Sequence, residues 1–172
     1  MAPAEAGFAR VLPEGRLVFD GLVLRCALGK GGVRPASEKR EGDGATPAAL
    51  MPLRRVLFRA DRGPPPRCTV PVEPIAPEDG WCDDPTHRLY NRPVRLPFDA
   101  SHEKLWREDH LYDVVGVLGW NDNPVERDRG SAIFLHLAWP DFRPTEGCIA
   151  LAPRDLRTLL EHGLRGLDVI GA

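Results

Sequence analysis

Short apolar runs recur along the chain, separated by stretches rich in glycine and proline, a pattern of strands joined by ordered loops. RLVFDGLVLRCALG (16–29) sets two apolar runs around Asp20-Gly21, a dipeptide that supplies positive φ, and predicts a two-residue hairpin. LRRVLFRA (53–60) reads as a strand. LYDVVGVLGW (111–120) and SAIFLHLA (131–138) are dense β-branched runs and predict two core strands, with Asn121-Asp122-Asn123-Pro124 turning the chain between them. LDVIG (167–171) predicts a last strand. Two segments leave this pattern. SHEKLWRED (101–109) predicts a short helix with Ser101 as N-cap. APRDLRTLLEHG (152–163) predicts a second, with Pro153 at its first position, Gly163 beyond its end, and Leu156, Leu159 and Leu160 on one buried stripe.

Between these elements, KGGVRPASEKREGDGATP (30–47) reads as loop. DRGPPPRCTVPVEPIAPEDG (61–80) reads as a long irregular excursion, a length that in a compact domain often walls a site. Gly42-Asp43-Gly44 is too short for a phosphate cradle and precedes no helix, so it reads as a turn. No internal repeat is present. The pattern predicts one mainly β domain with one or two short helices over residues 16–172, preceded by an N-terminal extension over residues 1–15.

Composition narrows the classes. The 172 residues suit a single domain that can bury a core, and 42% hydrophobic with 28% charged residues is ordinary for a globular chain. A formal net charge of -2 provides no global basic field, so nucleic acid is not an expected partner. No apolar run approaches the ~20 residues needed to cross a bilayer. The start, MAPAEAGFARVLPEG, lacks the basic and apolar regions of a secretory signal. The four cysteines, Cys26, Cys68, Cys82 and Cys148, form no CxxC pair, so no structural zinc site is expected. At most one disulfide is expected, between Cys68 and Cys82.

The chemistry concentrates in HLAWPDFRPTEGCIAL (136–151). A cysteine attacks as thiolate and needs a base, and histidine titrates in the right range. The loop 139–147 is able to fold Cys148 back beside His136. Gly147-Cys148 suits an oxyanion site, because glycine lets the backbone come close to a substrate. Cys148 also lies shortly before the predicted second helix, whose free amides favour a thiolate. Spacing alone leaves a second reading open, an inert buried thiol near a structural histidine.

The same stretch resembles the signature of the L,D-transpeptidase (YkuD) catalytic domain, in which a histidine precedes a Ser/Thr-x-Gly-Cys element. KREGDGATP is similar to the lysine, Gly-Asp and Thr-Pro stretch after the first strands of such domains. GWCDDPTHRLYNRPV and LWREDHLYDVVGVLGWND resemble segments of a bacterial subgroup. The resemblance covers residues 16 to 172. It implies a β-sandwich-like domain acting on peptidoglycan stem peptides in the periplasm or cell envelope, whereas the quoted N-terminus, without a secretory signal, leaves the cytoplasm open. It implies Cys148 as nucleophile, His136 as the base, backbone amides of Gly147 and Cys148 for the oxyanion, and Thr145 shaping the turn. No organic cofactor or metal is needed for such chemistry. The sequence departs from the family at Glu146, where a second histidine is usual, and at Ala150, where arginine or asparagine is common. A carboxylate beside the thiol opposes its ionisation. The departures therefore leave hydrolysis, as an L,D-carboxypeptidase or endopeptidase, open beside transpeptidation, with an inactive peptidoglycan-binding module as an alternative of another class.

Other candidates rank lower. Arg143 and Glu146, on the loop before the cysteine, are candidate contacts for a stem carboxylate or amine. Asp83 and Asp84 are candidate partners for a substrate ammonium, against a turn before Pro85. Cys82, Asp83, Asp84 and His87 also raise a metal site, which ranks below that turn. His102 and His110 read as packing or surface residues.

Overall fold

A computed structural model describes residues 5–171. Fourteen strands and one helix follow one another: β1 (Phe8–Leu12), β2 (Arg16–Phe19), β3 (Leu22–Ala27), β4 (Val33–Pro35), β5 (Thr46–Ala48), β6 (Leu50–Phe58), β7 (Val72–Pro74), β8 (Asp79–Cys82), β9 (Pro93–Arg95), β10 (His102–Lys104), β11 (Val114–Leu118), β12 (Phe134–Leu137), β13 (Ile149–Leu151), α1 (Pro153–Glu161) and β14 (Gly166–Val169). A single 3-10 turn occupies Ala36–Glu38.

The main sheet runs β11-β12-β13-β3-β2-β1-β14-β6-β7, and β11 also pairs with β6. That extra ladder closes eight strands into a circuit, with β7 added outside it along β6. Closure removes the unpaired edges an open sheet would leave. The mainly β, sandwich-like class expected from the sequence is the one observed. Inside lies a core of fully buried side chains, among them Leu17, Met51, Leu135 and Ile149.

Local chemistry explains the elements that the pattern predicted. Asp20 and Gly21 adopt φ of 45° and 80°, and Phe19 pairs with Leu22 across the tight turn. In α1, Pro153 starts the helix and Leu156, Leu159 and Leu160 are buried. Gly163 ends it at φ +86°, with its N–H on the Leu160 carbonyl and the Leu164 N–H on that of Leu159. This double bond closes the helix end as a Schellman motif.

Three expectations change. Residues 8–12, assigned to the extension, form β1 between β2 and β14. The predicted helix over 101–109 is instead strand β10 followed by bends. Its nine residues bury only Leu105, too little to hold a short helix. The backbone pairs antiparallel with β8, while the Ser101 hydroxyl donates to Asp83 rather than capping a helix. Both predicted loops contain short strands, β4 and β5 in the first, and β7 with the start of β8 in the second. All four cysteines are free, and the Cys68 thiol donates to the Val70 carbonyl.

Leu159 is fully buried. Replacing it with alanine is expected to lower the unfolding free energy by about 3 kcal/mol in urea titrations, through lost apolar burial and the cavity left behind.

Candidate active site

Parallel pairing of β12 with β13 sets Leu135 opposite Ile149 and His136 opposite Ala150. Side chains alternate along strands, so Phe134 and His136 share a face with Cys148 and Ala150. His136, Cys148 and Ala150 line one cavity of about 470 Å3, together with Arg143, Thr145 and Glu146 of the intervening loop.

The loop is fixed from below. Gly147 has φ +136°, and a Cβ there would lie 2.9 Å from the Ala45 carbonyl oxygen. Thr46, fully buried, accepts the Gly29 N–H at 2.9 Å and donates to the Gly147 carbonyl at 2.9 Å. The Thr145 hydroxyl accepts the Gly147 N–H at 3.1 Å and donates to the Cys148 carbonyl at 2.7 Å. The Gly147 N–H, expected at an oxyanion site, is thus turned to Thr145. Glycine 42 and Gly44 adopt positive φ around Asp43, as a turn requires. Asp43 accepts from the Ala45 and Arg40 amides and pairs with the buried Lys39 at 2.7 Å. Lys39 lines the same cavity.

The two central groups rest neutral. His136 Nδ1 lies 2.9 Å from the Leu137 carbonyl, so Nδ1 carries the proton and Nε2 keeps its lone pair. Burial of the imidazole lowers its pKa to about 4. The Cys148 thiol donates to the Ala132 carbonyl at 3.3 Å and accepts the Phe134 N–H at 3.4 Å. Burial, then the charge of Glu103, pushes it up to about 12. The helix after Cys148 was expected to favour a thiolate; desolvation outweighs it here.

The remaining candidates separate. Arg143 lies over the Trp139 ring and pairs with Asp141. Glu146 is exposed and pairs with Lys30 at 2.8 Å, so the carboxylate that acts on the thiol is Glu103, not Glu146. Asp83 lines the cavity and accepts from Ser101 at 2.6 Å. Asp84 does not line it; its carboxylate accepts the Thr86 N–H and hydroxyl, a turn. His87 Nδ1 accepts the Leu89 N–H. His102 packs against Phe98, and His110 packs against Trp139 with Nε2 at 3.0 Å from the Ala138 carbonyl. Among the described residues, no group of three or more His, Cys, Asp or Glu side chains is placed to hold a metal ion.

Several contributors were not singled out from the sequence. Tyr112 packs edge-on against His136, with centroids 5.2 Å apart, and its hydroxyl donates to Glu103. The segment around them is gripped by two arginines beyond β6. Arg59 donates to the Arg107 carbonyl and stacks on Trp106 at 3.6 Å, while Arg62 donates to the Glu108 and Asp109 carbonyls. Their only signal in the sequence is an Arg-rich strand end, which looks like surface.

A family model for the L,D-transpeptidase catalytic domain, YkuD, matches residues 6–170. The chain belongs to the L,D-transpeptidase family. No curated protein and no solved structure matches it. The match includes β1 and every residue of this L,D-transpeptidase domain's cavity. None of its described helices is long and apolar enough to cross a membrane.

The neutral burial of His136 has a consequence for stability. Unfolded, the imidazole binds a proton near pH 6.5; folded, only near pH 4. Between these values the unfolded state holds more protons, so stability falls as pH drops through the window, by up to about 3 kcal/mol from this group. Urea titrations at pH 7 and 4.5 are expected to show a smaller acid loss in His136→Gln than in the native domain. Thr46→Val, which removes both buried hydroxyl bonds, is expected to cost about 2 kcal/mol at pH 7 in the same measurement.

Proposed function

We propose that the domain is a cysteine acyltransferase of the L,D-transpeptidase type, working on peptidoglycan tetrapeptide stems at the cell envelope through an acyl-enzyme on Cys148. The observation that carries this reading is the shared face of β12 and β13, where an imidazole with a free Nε2 and a thiol line one cavity.

Cys148 Sγ attacks the carbonyl carbon that follows the L-centre of the diamino-acid residue. The thiol proton passes to His136 Nε2, and the carbonyl becomes a tetrahedral oxyanion. With the thiol near 12 and the imidazole near 4, a free thiolate–imidazolium pair is scarce at rest. Proton transfer therefore accompanies S–C bond formation rather than preceding it. The C–N bond then breaks, Nε2 returns its proton to the departing amine of the terminal D-residue, and a thioester remains. An acceptor amine attacks the thioester carbon, passing a proton through Nε2 to the sulfur as the C–S bond breaks. Water in place of the amine gives hydrolysis. Arg143, Asp83 and Glu146, on the cavity wall, are the residues we assign to the stem's carboxylate and amine groups. Thr145 and Gly147 keep the cysteine loop in the conformation that presents the sulfur.

Incubation with tetrapeptide muropeptides and an added D-amino acid, followed by mass spectrometry, tests this. Loss of the terminal D-residue with incorporation of the added amino acid is expected, along with an acyl adduct on Cys148. Cys148→Ala and His136→Gln should each reduce turnover by about 1000-fold or more. Loss without incorporation would identify a carboxypeptidase. Binding of muropeptides with neither adduct nor turnover would replace the enzyme by a binding module.

A further inference from the structure

Glu103 and Tyr112 occupy the same cavity as the thiol and imidazole, yet the acyl-transfer steps above give them no part. Glu103 sits on β10, paired in register with Trp81 of β8, and is half-buried. Tyr112, nearly fully buried two residues before β11, donates its hydroxyl to Glu103 Oε1. The tyrosine ring meets His136 edge-on at 5.2 Å and Phe134 at 6.0 Å. Phe134 is the residue whose amide holds the sulfur. One ring therefore touches both strand residues on which the two reacting groups depend.

We propose that Glu103 and Tyr112 form a positioning pair for Cys148 and His136, the carboxylate anchoring the tyrosine hydroxyl and the anchored ring holding the imidazole in one orientation. The proposal rests on the acyl-transfer reading for its catalytic consequence, but its geometry does not depend on the substrate. The Leu137 carbonyl fixes one side of the imidazole, and the tyrosine edge packs against its ring. Without the carboxylate anchor the ring keeps its apolar packing but loses the contact that fixes its hydroxyl end.

The same carboxylate acts on the sulfur by charge. Burial raises Glu103 to about 6, so above that pH it is anionic and opposes thiolate formation at Cys148. Other charged groups act on the pair from neighbouring segments. Glu41 and Asp83 further raise Glu103, whereas Arg107, over the Tyr112 ring at 5.1 Å and paired with Asp109, lowers it. Lys39 and Arg107 act on Cys148 in the opposite sense to Glu103. Removing the Glu103 charge should therefore make the thiol more acidic while loosening the imidazole. A side chain needed only for folding would not give these two opposite effects.

Glu103→Gln, Glu103→Asp and Tyr112→Phe, each checked for a native melting temperature, separate the effects. Alkylation of Cys148 by iodoacetamide is followed against pH, with labelling assigned by peptide mass. Glu103→Gln is expected to accelerate labelling at pH 7.5 about fivefold and to move its pH profile to lower pH. Glu103→Asp, which keeps the charge, should stay within twofold of the native rate. In muropeptide turnover, Glu103→Gln and Tyr112→Phe should both reduce kcat about tenfold or more with little change in KM. A folded Glu103→Gln whose alkylation profile is unmoved overturns the proposal, as does unchanged kcat in both variants. If native protein turns over no muropeptide, the acyl-transfer reading fails on its own and the alkylation profile still decides the pair.

Discussion

The parallel ladder between β12 and β13 is the constraint on which the site depends. It sets His136 opposite Ala150, so that Cys148, just before β13 and across a proline-containing loop, falls on the same face. A slip of one residue would turn either His136 or Cys148 to the opposite face, because side chains alternate. Register is held at both ends. Leu135 and Ile149 are fully buried in the core, and the β13 side is further locked by Thr46 and Thr145 on the backbone around Gly147.

Electrostatics in the cavity favour storage over readiness. His136 and Cys148 are both buried, and desolvation keeps each in its uncharged form. The cations that act on the thiol against Glu103, Lys39 and Arg107, are already paired with Asp43 and Asp109. In the proposed reaction it is the substrate carbonyl, accepting electron density from sulfur, that would draw the proton off the thiol. This differs from nucleophiles activated in advance by a helix terminus or a cationic neighbour.

Much of this was legible in the chain. The Asp20-Gly21 hairpin, the apolar runs of β11 and β12, and the capped helix α1 each rest on local signals that the fold leaves intact. His136 and Cys148 were visible as residue types, and the strand–loop–strand pattern pointed to the one cavity that both line. Strand β1 was hidden because FARVL is short and follows an unpatterned start, and its partners β2 and β14 lie on either side in the sheet but β14 is distant in sequence. The segment 101–109 was misread because its helix-like composition has no apolar stripe, so pairing with β8 decided it. Glu103 and Tyr112 escaped notice because what joins them is a tertiary contact between β10 and the approach to β11. Asp84 shows the reverse, an acidic residue beside a candidate whose carboxylate is spent on its own turn.

The closed circuit of strands has a further implication. β12, which carries His136, is bonded to β11 and β13, and β13, which begins just after Cys148, is bonded to β12 and β3, so neither residue lies beside a free sheet edge. The same hydrogen-bonded ring includes β1 and β14, strands distant in sequence from the site.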